Sequence, residues 1–321
     1  MLTSCSDSGL SPDGAQLPYP IVHTHLNPST GTAELYILQP SGEDRILVDS
    51  AGINNFASWS PDGSMLTFQG NRGRPTEVYV INSDGSDERN ISNYEYFDQH
   101  PLWSPDGRFI LFERYTDSSK TLILTDTSGL AQFELTPFSG RNDDACWAPD
   151  SRSIVYRSNR TGNDDIYITN IGGTTHENIT SSPAENEYNP CWSPDGQSIV
   201  FCSRGQLHIM RIDGSNRRQL TTLGDSLGGS PKFSPRGEYV LVSSRGDRIY
   251  RVKINAPEVV NLTRSTAREG EPDWSPDGQW IVFWSSRAGT TQLFLMDADG
   301  GNVRQITSSQ GGNGGPRWAP R

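Results

Sequence analysis

The chain has 321 residues and a formal net charge of −11, with 27 Lys and Arg against 38 Asp and Glu. That balance excludes a protein built to hold a phosphate backbone, which needs a clustered positive field. The mean hydropathy is −0.60, and no apolar run approaches the ~20 residues that span a bilayer as a helix. Gly and Pro together make about one residue in six, and 30 aromatic residues argue against disorder.

In chain order, Leu2-Thr3-Ser4-Cys5 comes first and resembles a bacterial lipobox, with Cys5 as the lipidated residue. Residues 1–16 are then expected to be a polar tether that holds the rest at a membrane outside the cytoplasm. An accidental match is the alternative, because no basic and apolar segment precedes the motif.

From residue 17 onward a repeat dominates. Trp59-Ser60-Pro61-Asp62-Gly63 returns at Trp103, at Trp147 (as Trp-Ala-Pro-Asp), at Trp192, at Phe233 (as Phe-Ser-Pro-Arg-Gly), at Trp274 and, truncated, at Trp318. The spacings are 44, 44, 45, 41, 41 and 44 residues. Each unit reads as a strand ending in the aromatic residue, a Pro-Asp-Gly turn, and an apolar strand such as Ser198–Cys202. A third strand, an Asp-Gly hairpin such as Asp84-Gly85, and a short fourth strand complete it. Four strands per 40–45 residues predicts an all-β propeller. Residues 20–48 supply three strands without a first one, and residues 316–318 supply a first strand without the rest. Sharing one split blade between the two ends gives seven blades and a single propeller domain over 17–321. Six blades with loose ends is the alternative.

These repeats resemble those of TolB-type propellers, with similarity to WD repeats. The resemblance covers about residues 17–321 and is specific for fold. It implies a monomeric periplasmic or cell-surface scaffold, an accessory propeller of a peptidase, or an oligosaccharide lyase. Neither the α/β domain expected before the propeller in TolB nor an α/β-hydrolase domain is found in these 321 residues. A Tol-system role and a peptidase activity are therefore not expected.

The connections that precede each aromatic residue join blade to blade on one face, beside the central channel. They bring Asp98, His100, Asp143, Asp144, Glu187, Tyr188, Glu269 and Glu271 toward one mouth, with Tyr94, Tyr96 and Phe97 nearby. A ring of carboxylates with aromatic surface suits a protein partner or a small ligand, including a basic peptide, a saccharide or a cation. The competing expectation is that Arg72, Arg160, Arg204, Arg245 and Arg287 pair with these carboxylates for structure alone. A non-enzymatic binding scaffold is the first functional reading. A carbohydrate lyase or hydrolase with an acidic, metal-assisted mouth is the second.

Other motifs read as structure. Gly224-Asp225-Ser226-Leu227-Gly228 has the letters of a nucleophile elbow without the following helix. His23 and His25 share a strand face, as a metal pair would, but His23 stands where other blades carry Phe68, Phe112 or Phe201. Asp297-Ala298-Asp299-Gly300 reads as a hairpin, not a calcium loop. No cofactor is expected, although a calcium or transition-metal ion in the channel is compatible with the acidic mouth. Cys146 and Cys191 occupy equivalent slots on adjacent blades, and Cys202 lies on a second strand. Small buried side chains or a disulfide both fit that spacing.

Overall fold

The computed structural model describes residues 16–72, 75–256 and 258–321. Cys5 lies outside them. Among the described residues there is no helix, and none therefore long and apolar enough to cross a membrane. Seven antiparallel sheets of four strands each follow one another in chain order. They form a seven-bladed propeller, as the repeat count predicts.

Blade 1 is the split one. Its first strand, Gly312–Trp318, comes from the C-terminus and pairs with Ile21–Leu26, which pairs with Ala33–Leu38 and then Asp44–Val48. Ile21 lies opposite Trp318 and Leu26 opposite Gly312. Blades 2 to 7 begin with first strands at Asn54–Trp59, Phe97–Trp103, Asn142–Trp147, Glu187–Trp192, Lys232–Phe233 and Glu269–Trp274. These first strands neighbour one another around the centre and line the channel.

Sheets twist, so neighbouring blades meet face to face and each buries apolar side chains on both surfaces. Seven clusters fill the seven gaps. Blades 4 and 5, for example, meet through Val155, Ile166, Trp192, Ile199 and Phe201, and blades 7 and 1 through Ile21, Leu38, Val282, Leu293 and Trp318. In four of the seven blades the repeat Trp also ties the blade to the one before by a hydrogen bond. The indoles of Trp59, Trp147, Trp274 and Trp318 donate to the backbone carbonyls of Arg317, Leu102, Lys232 and Asp273, at 3.2 to 3.4 Å.

The Ser-Pro-Asp-Gly element is a closed turn. Ser104 Oγ donates to Asp106 Oδ1 at 2.7 Å and accepts the Phe109 amide at 3.0 Å. Asp62, Asp106 and Asp195 are held below the usual carboxylate range. For Asp62 and Asp195 the first cause is the Ser hydroxyl; for Asp106 burial is the largest influence and opposes the shift, and the Ser104 hydroxyl together with the Arg108 amide and guanidinium overcomes it. The hairpins between third and fourth strands, Asp84-Gly85 and Ser128-Gly129 among them, seal the rim. Gly129 has φ +79°, and a Cβ there would sit 2.6 Å from the Ile91 carbonyl oxygen of the preceding blade. Gly129→Ala is expected to lower stability by about 3 kcal/mol, through left-handed strain plus collision. Gly162→Ala, at φ +110° with open space around it, is expected to lose only about 1 kcal/mol. Urea unfolding of both variants checks the difference, and equal losses would contradict the interblade contact.

The incidental motifs settle into structural roles. His23 is buried, stacks on Tyr36 and contacts Asp44 Oδ1 at 2.9 Å. His25 instead contacts Asn313. Residues 224–228 form a loop in which Asp225 accepts from Arg248 and Tyr250. Asp297 to Gly300 is a hairpin turn, with the Gly300 amide on the Asp297 carbonyl at 2.9 Å.

Candidate functional site at the interblade mouth

The first strands are not regular. Register shifts fall between Asn55 and Ser58, Gln99 and Leu102, Asp143 and Cys146, Tyr188 and Cys191, and Gly270 and Asp273. At each shift one residue adopts left-handed φ: Phe56 (52°), His100 (53°), Asp144 (52°), Asn189 (52°) and Glu271 (48°), with Gly315 (60°) in the split blade. A bulge re-aims the side chain that it carries. Left-handed φ costs a non-Gly residue about 1–2 kcal/mol, so the surroundings must hold it there.

At four of the six positions a side chain from the preceding blade does so. The His100 amide donates to Gln69 Oε1 at 2.9 Å, and the Asp144 amide to Glu113 Oε1 at 2.9 Å. The Asn189 amide donates to Asp144 Oδ2 at 3.2 Å, and the Gly315 amide to Glu271 Oε2 at 2.8 Å.

The bulge divides the eight residues read from the sequence into two groups. Asp98, Asp143, Glu187 and Glu269 lie before it and are buried. Asp98 receives a bidentate fork from Arg114 at 2.8 and 2.9 Å. Asp143 meets Arg157 at 2.7 Å and Lys120 at 3.0 Å. Glu187 meets Arg217 at 2.9 Å, and Glu269 meets Arg287. Burial raises the carboxyls of Asp98 and Glu187 despite these partners. The second group, His100, Asp144, Tyr188 and Glu271, is partly or fully exposed. Tyr188 donates its hydroxyl to the Leu227 carbonyl at 3.0 Å.

His100 and Asp144 belong to one polar network. His100 Nδ1 lies 3.0 Å from Glu113 Oε2, which also accepts the Tyr115 hydroxyl at 3.0 Å. Burial is the largest single influence on His100 and opposes its charging, but the bond to Glu113 together with the negative charges of Glu113 and Asp144 raises the imidazole above its ordinary value. Burial is likewise the largest influence against the Glu113 carboxylate, and the bond and charge of His100, with the Asp144 amide and the Tyr115 hydroxyl, together lower it. Asp144 is pushed up to about 6, chiefly by burial, although Arg157 lies 3.2 Å away. Phe56 stands edge-on to His100 with ring centroids 4.6 Å apart. Among the described residues no three His, Cys, Asp or Glu side chains are arranged to hold a metal ion.

Next to this network the split blade opens a pocket of about 390 Å³. Leu26, Ile53, Phe56 and Trp284 form its apolar wall, and Glu271 and Arg317 bring charge. Leu26, Ile53 and Phe56 are 50%, 45% and 44% exposed, high for such side chains. The room comes from Gly314 and Gly315, which stand where blade 3 carries Gln99 and His100.

A second tier of mouth residues lies on the second strands. Gln69, Glu113, Arg157 and Trp284 each follow the buried aromatic of a second strand, and each supports or lines the mouth. The available signal was a polar or oversized residue at one fixed place in otherwise apolar strands. Of the loop arginines expected to pair with the mouth carboxylates, Arg287 does so. Arg204 and Arg72 instead meet Glu185 and Glu88, each at 2.9 Å. Arg160 stacks on Phe138 and Tyr167 at 3.9 and 4.4 Å.

A closed seven-bladed propeller with one gapped, acidic and partly apolar mouth is the class of protein that this geometry defines. The chain belongs to the TolB beta propeller domain family, which it matches over residues 4–157, 100–247 and 225–321. It is similar to TolB from Acinetobacter baumannii, with a TM-score of 0.63, 22% identity, and coverage of 94% of this chain and 67% of that one. It is also similar to an oligogalacturonate lyase in complex with manganese, with a TM-score of 0.66, 17% identity, and coverage of 92% and 86%. At these identities the likeness shows the fold alone. A curated protein of Agrobacterium fabrum is 40% identical over 72 residues, 22% of this chain and 25% of that protein. A peptidase of Bacillus subtilis is 37% identical over 73 residues, 22% and 11%. The matched segments thus span a quarter or less of these curated relatives.

Proposed function

We propose that this protein is a non-enzymatic scaffold that binds a segment of a partner protein at the interblade mouth. The observation that carries the reading is the pocket at the split blade, where Gly314 and Gly315 leave Leu26, Ile53, Phe56 and Trp284 uncovered beside the exposed Glu271. Binding sites combine apolar walls with a few placed polar groups. A net charge of −11 favours a segment that carries a basic residue next to an apolar one. The lipobox-like Leu2-Thr3-Ser4-Cys5 and the TolB family support an extracytoplasmic, lipid-tethered location, with the mouth free to meet partners.

Gly314 provides the test. Its φ is not left-handed, and a Cβ there meets nothing within 4 Å, so Gly314→Leu fills the pocket without backbone strain. A peptide array pairing apolar residues with Lys or Arg is expected to yield a family of binders. Gly314→Leu is expected to weaken them at least tenfold by fluorescence anisotropy while leaving the melting temperature unchanged. Binding that survives Gly314→Leu would overturn the reading.

The hydrogen-bonded His100, Glu113 and Tyr115 beside Asp144 support a second reading, a metal-assisted carbohydrate lyase or hydrolase. Cleavage of oligogalacturonate in the presence of manganese, lost in His100→Ala, would favour it. No cleavage with or without the metal would count against it.

A further inference from the structure

The residue just before each repeat aromatic forms its own ring in the channel: Arg317, Ser58, Leu102, Cys146, Cys191, Lys232 and Asp273. Its side chains reach toward the next blade. Between blades 6 and 7, Lys232 Nζ meets Asp273 Oδ1 at 2.6 Å, and Asp273 Oδ2 accepts the Trp318 amide at 3.0 Å. Between blades 4 and 5 the same slots hold two thiols. Cys146 Sγ accepts the Trp192 amide at 3.5 Å, which places it against the backbone that carries Cys191. Both cysteines are half-buried on channel-lining strands. Cys202 is fully buried in an apolar cluster, two strands from Cys146 and cross-strand from Tyr188.

We propose that Cys146 and Cys191 are a redox-responsive dithiol that closes into a disulfide between blades 4 and 5. The oxidant is a small-molecule disulfide of the glutathione class entering through the channel. The Cys146 thiolate attacks one sulfur of that disulfide, forming a mixed disulfide and expelling one thiolate. Cys191 then loses its proton and attacks Cys146 Sγ, forming the protein bond and expelling the second thiolate. Two protein thiols are oxidised and one small disulfide is reduced to two thiols. Cys146 suits the first step, because its neighbour Cys191 holds its thiol below the ordinary value while Cys191 itself is raised. Attack requires the thiolate.

The bond would reach the mouth. Asp144 and Asn189 lie two residues before Cys146 and Cys191 and are themselves joined by the Asn189 amide on Asp144 Oδ2. Clamping the strands below fixes the spacing of those two bulges.

The test is incubation of the folded, reduced protein with oxidised glutathione, followed by intact and peptide mass spectrometry. The expected result is loss of two hydrogens at Cys146 and Cys191 with no glutathione on either, a cross-linked peptide pair holding the two, and a raised melting temperature. Cys191→Ser is expected to stop at a stable glutathione adduct on Cys146, and Cys202→Ala to behave as wild type. Glutathione adducts that persist on both cysteines of the wild type, or two thiols that stay reduced, would overturn the proposal. If Cys191→Ser does not fold, timed alkylation of the wild type during oxidation decides. Simultaneous loss of both thiols supports the proposal, and independent loss overturns it.

Discussion

Asp98→Ala is expected to destabilise the propeller by about 3–5 kcal/mol, because it strands the Arg114 guanidinium inside the protein. Asp98 is fully buried and Arg114 is only 11% exposed, and the two share a bidentate fork. Arg114 also covers the face of Tyr94 at 3.8 Å and donates to Gln132 at 3.2 Å. Those contacts cannot replace a carboxylate in neutralising it. Replacing both partners with apolar side chains is a different matter, since a buried pair exchanged for packed residues is often neutral. Asp98→Ala with Arg114→Met should therefore recover most of the loss. Equilibrium unfolding of the two variants checks this. A single-variant loss below 1 kcal/mol would show that the pair is wet and weak.

The second large effect depends on pH. Asp144 titrates at about 6 in the folded protein, while an unfolded Asp ionises near 3.9. Between those values the folded state binds the proton more tightly than the unfolded chain. Raising pH through that window therefore costs stability, and the cost is complete above pH 6. Two units correspond to about 3 kcal/mol at most. Asp144→Asn keeps an acceptor for the Asn189 amide, and Arg157 keeps Asp143 at 2.7 Å. The variant is expected to gain about 2–3 kcal/mol over wild type as pH rises from 4 to 7, with little difference at pH 4. Urea midpoints at the two pH values measure it. A difference that does not change with pH would contradict a half-buried, proton-holding Asp144.

The ring itself was legible because its period is carried by residues with fixed jobs. Each repeat Trp wedges into the preceding gap, each Pro-Asp-Gly closes a turn, and the strands at residues 20–48 and 316–318 lack partners unless they share a blade. The mouth was only half legible. Spacing from the aromatic residue finds Asp98 and His100 equally well. It does not show the bulge between them, which buries the first against Arg114 and leaves the second beside Phe56. Nor does spacing weigh what is missing, and the pocket exists because Gly314 and Gly315 have no side chains. Glu113, Arg157 and Trp284 were visible as interruptions in apolar strands, but their direction depends on which blade each strand faces.

Hydrogen exchange with and without the tightest peptide from the array tests the mouth most directly. Bound peptide is expected to slow exchange at residues 53–56 and 312–315 and to leave the Ser-Pro-Asp-Gly turns on the opposite face unchanged. Protection confined to those turns, with residues 53–56 and 312–315 unaffected, would contradict the account.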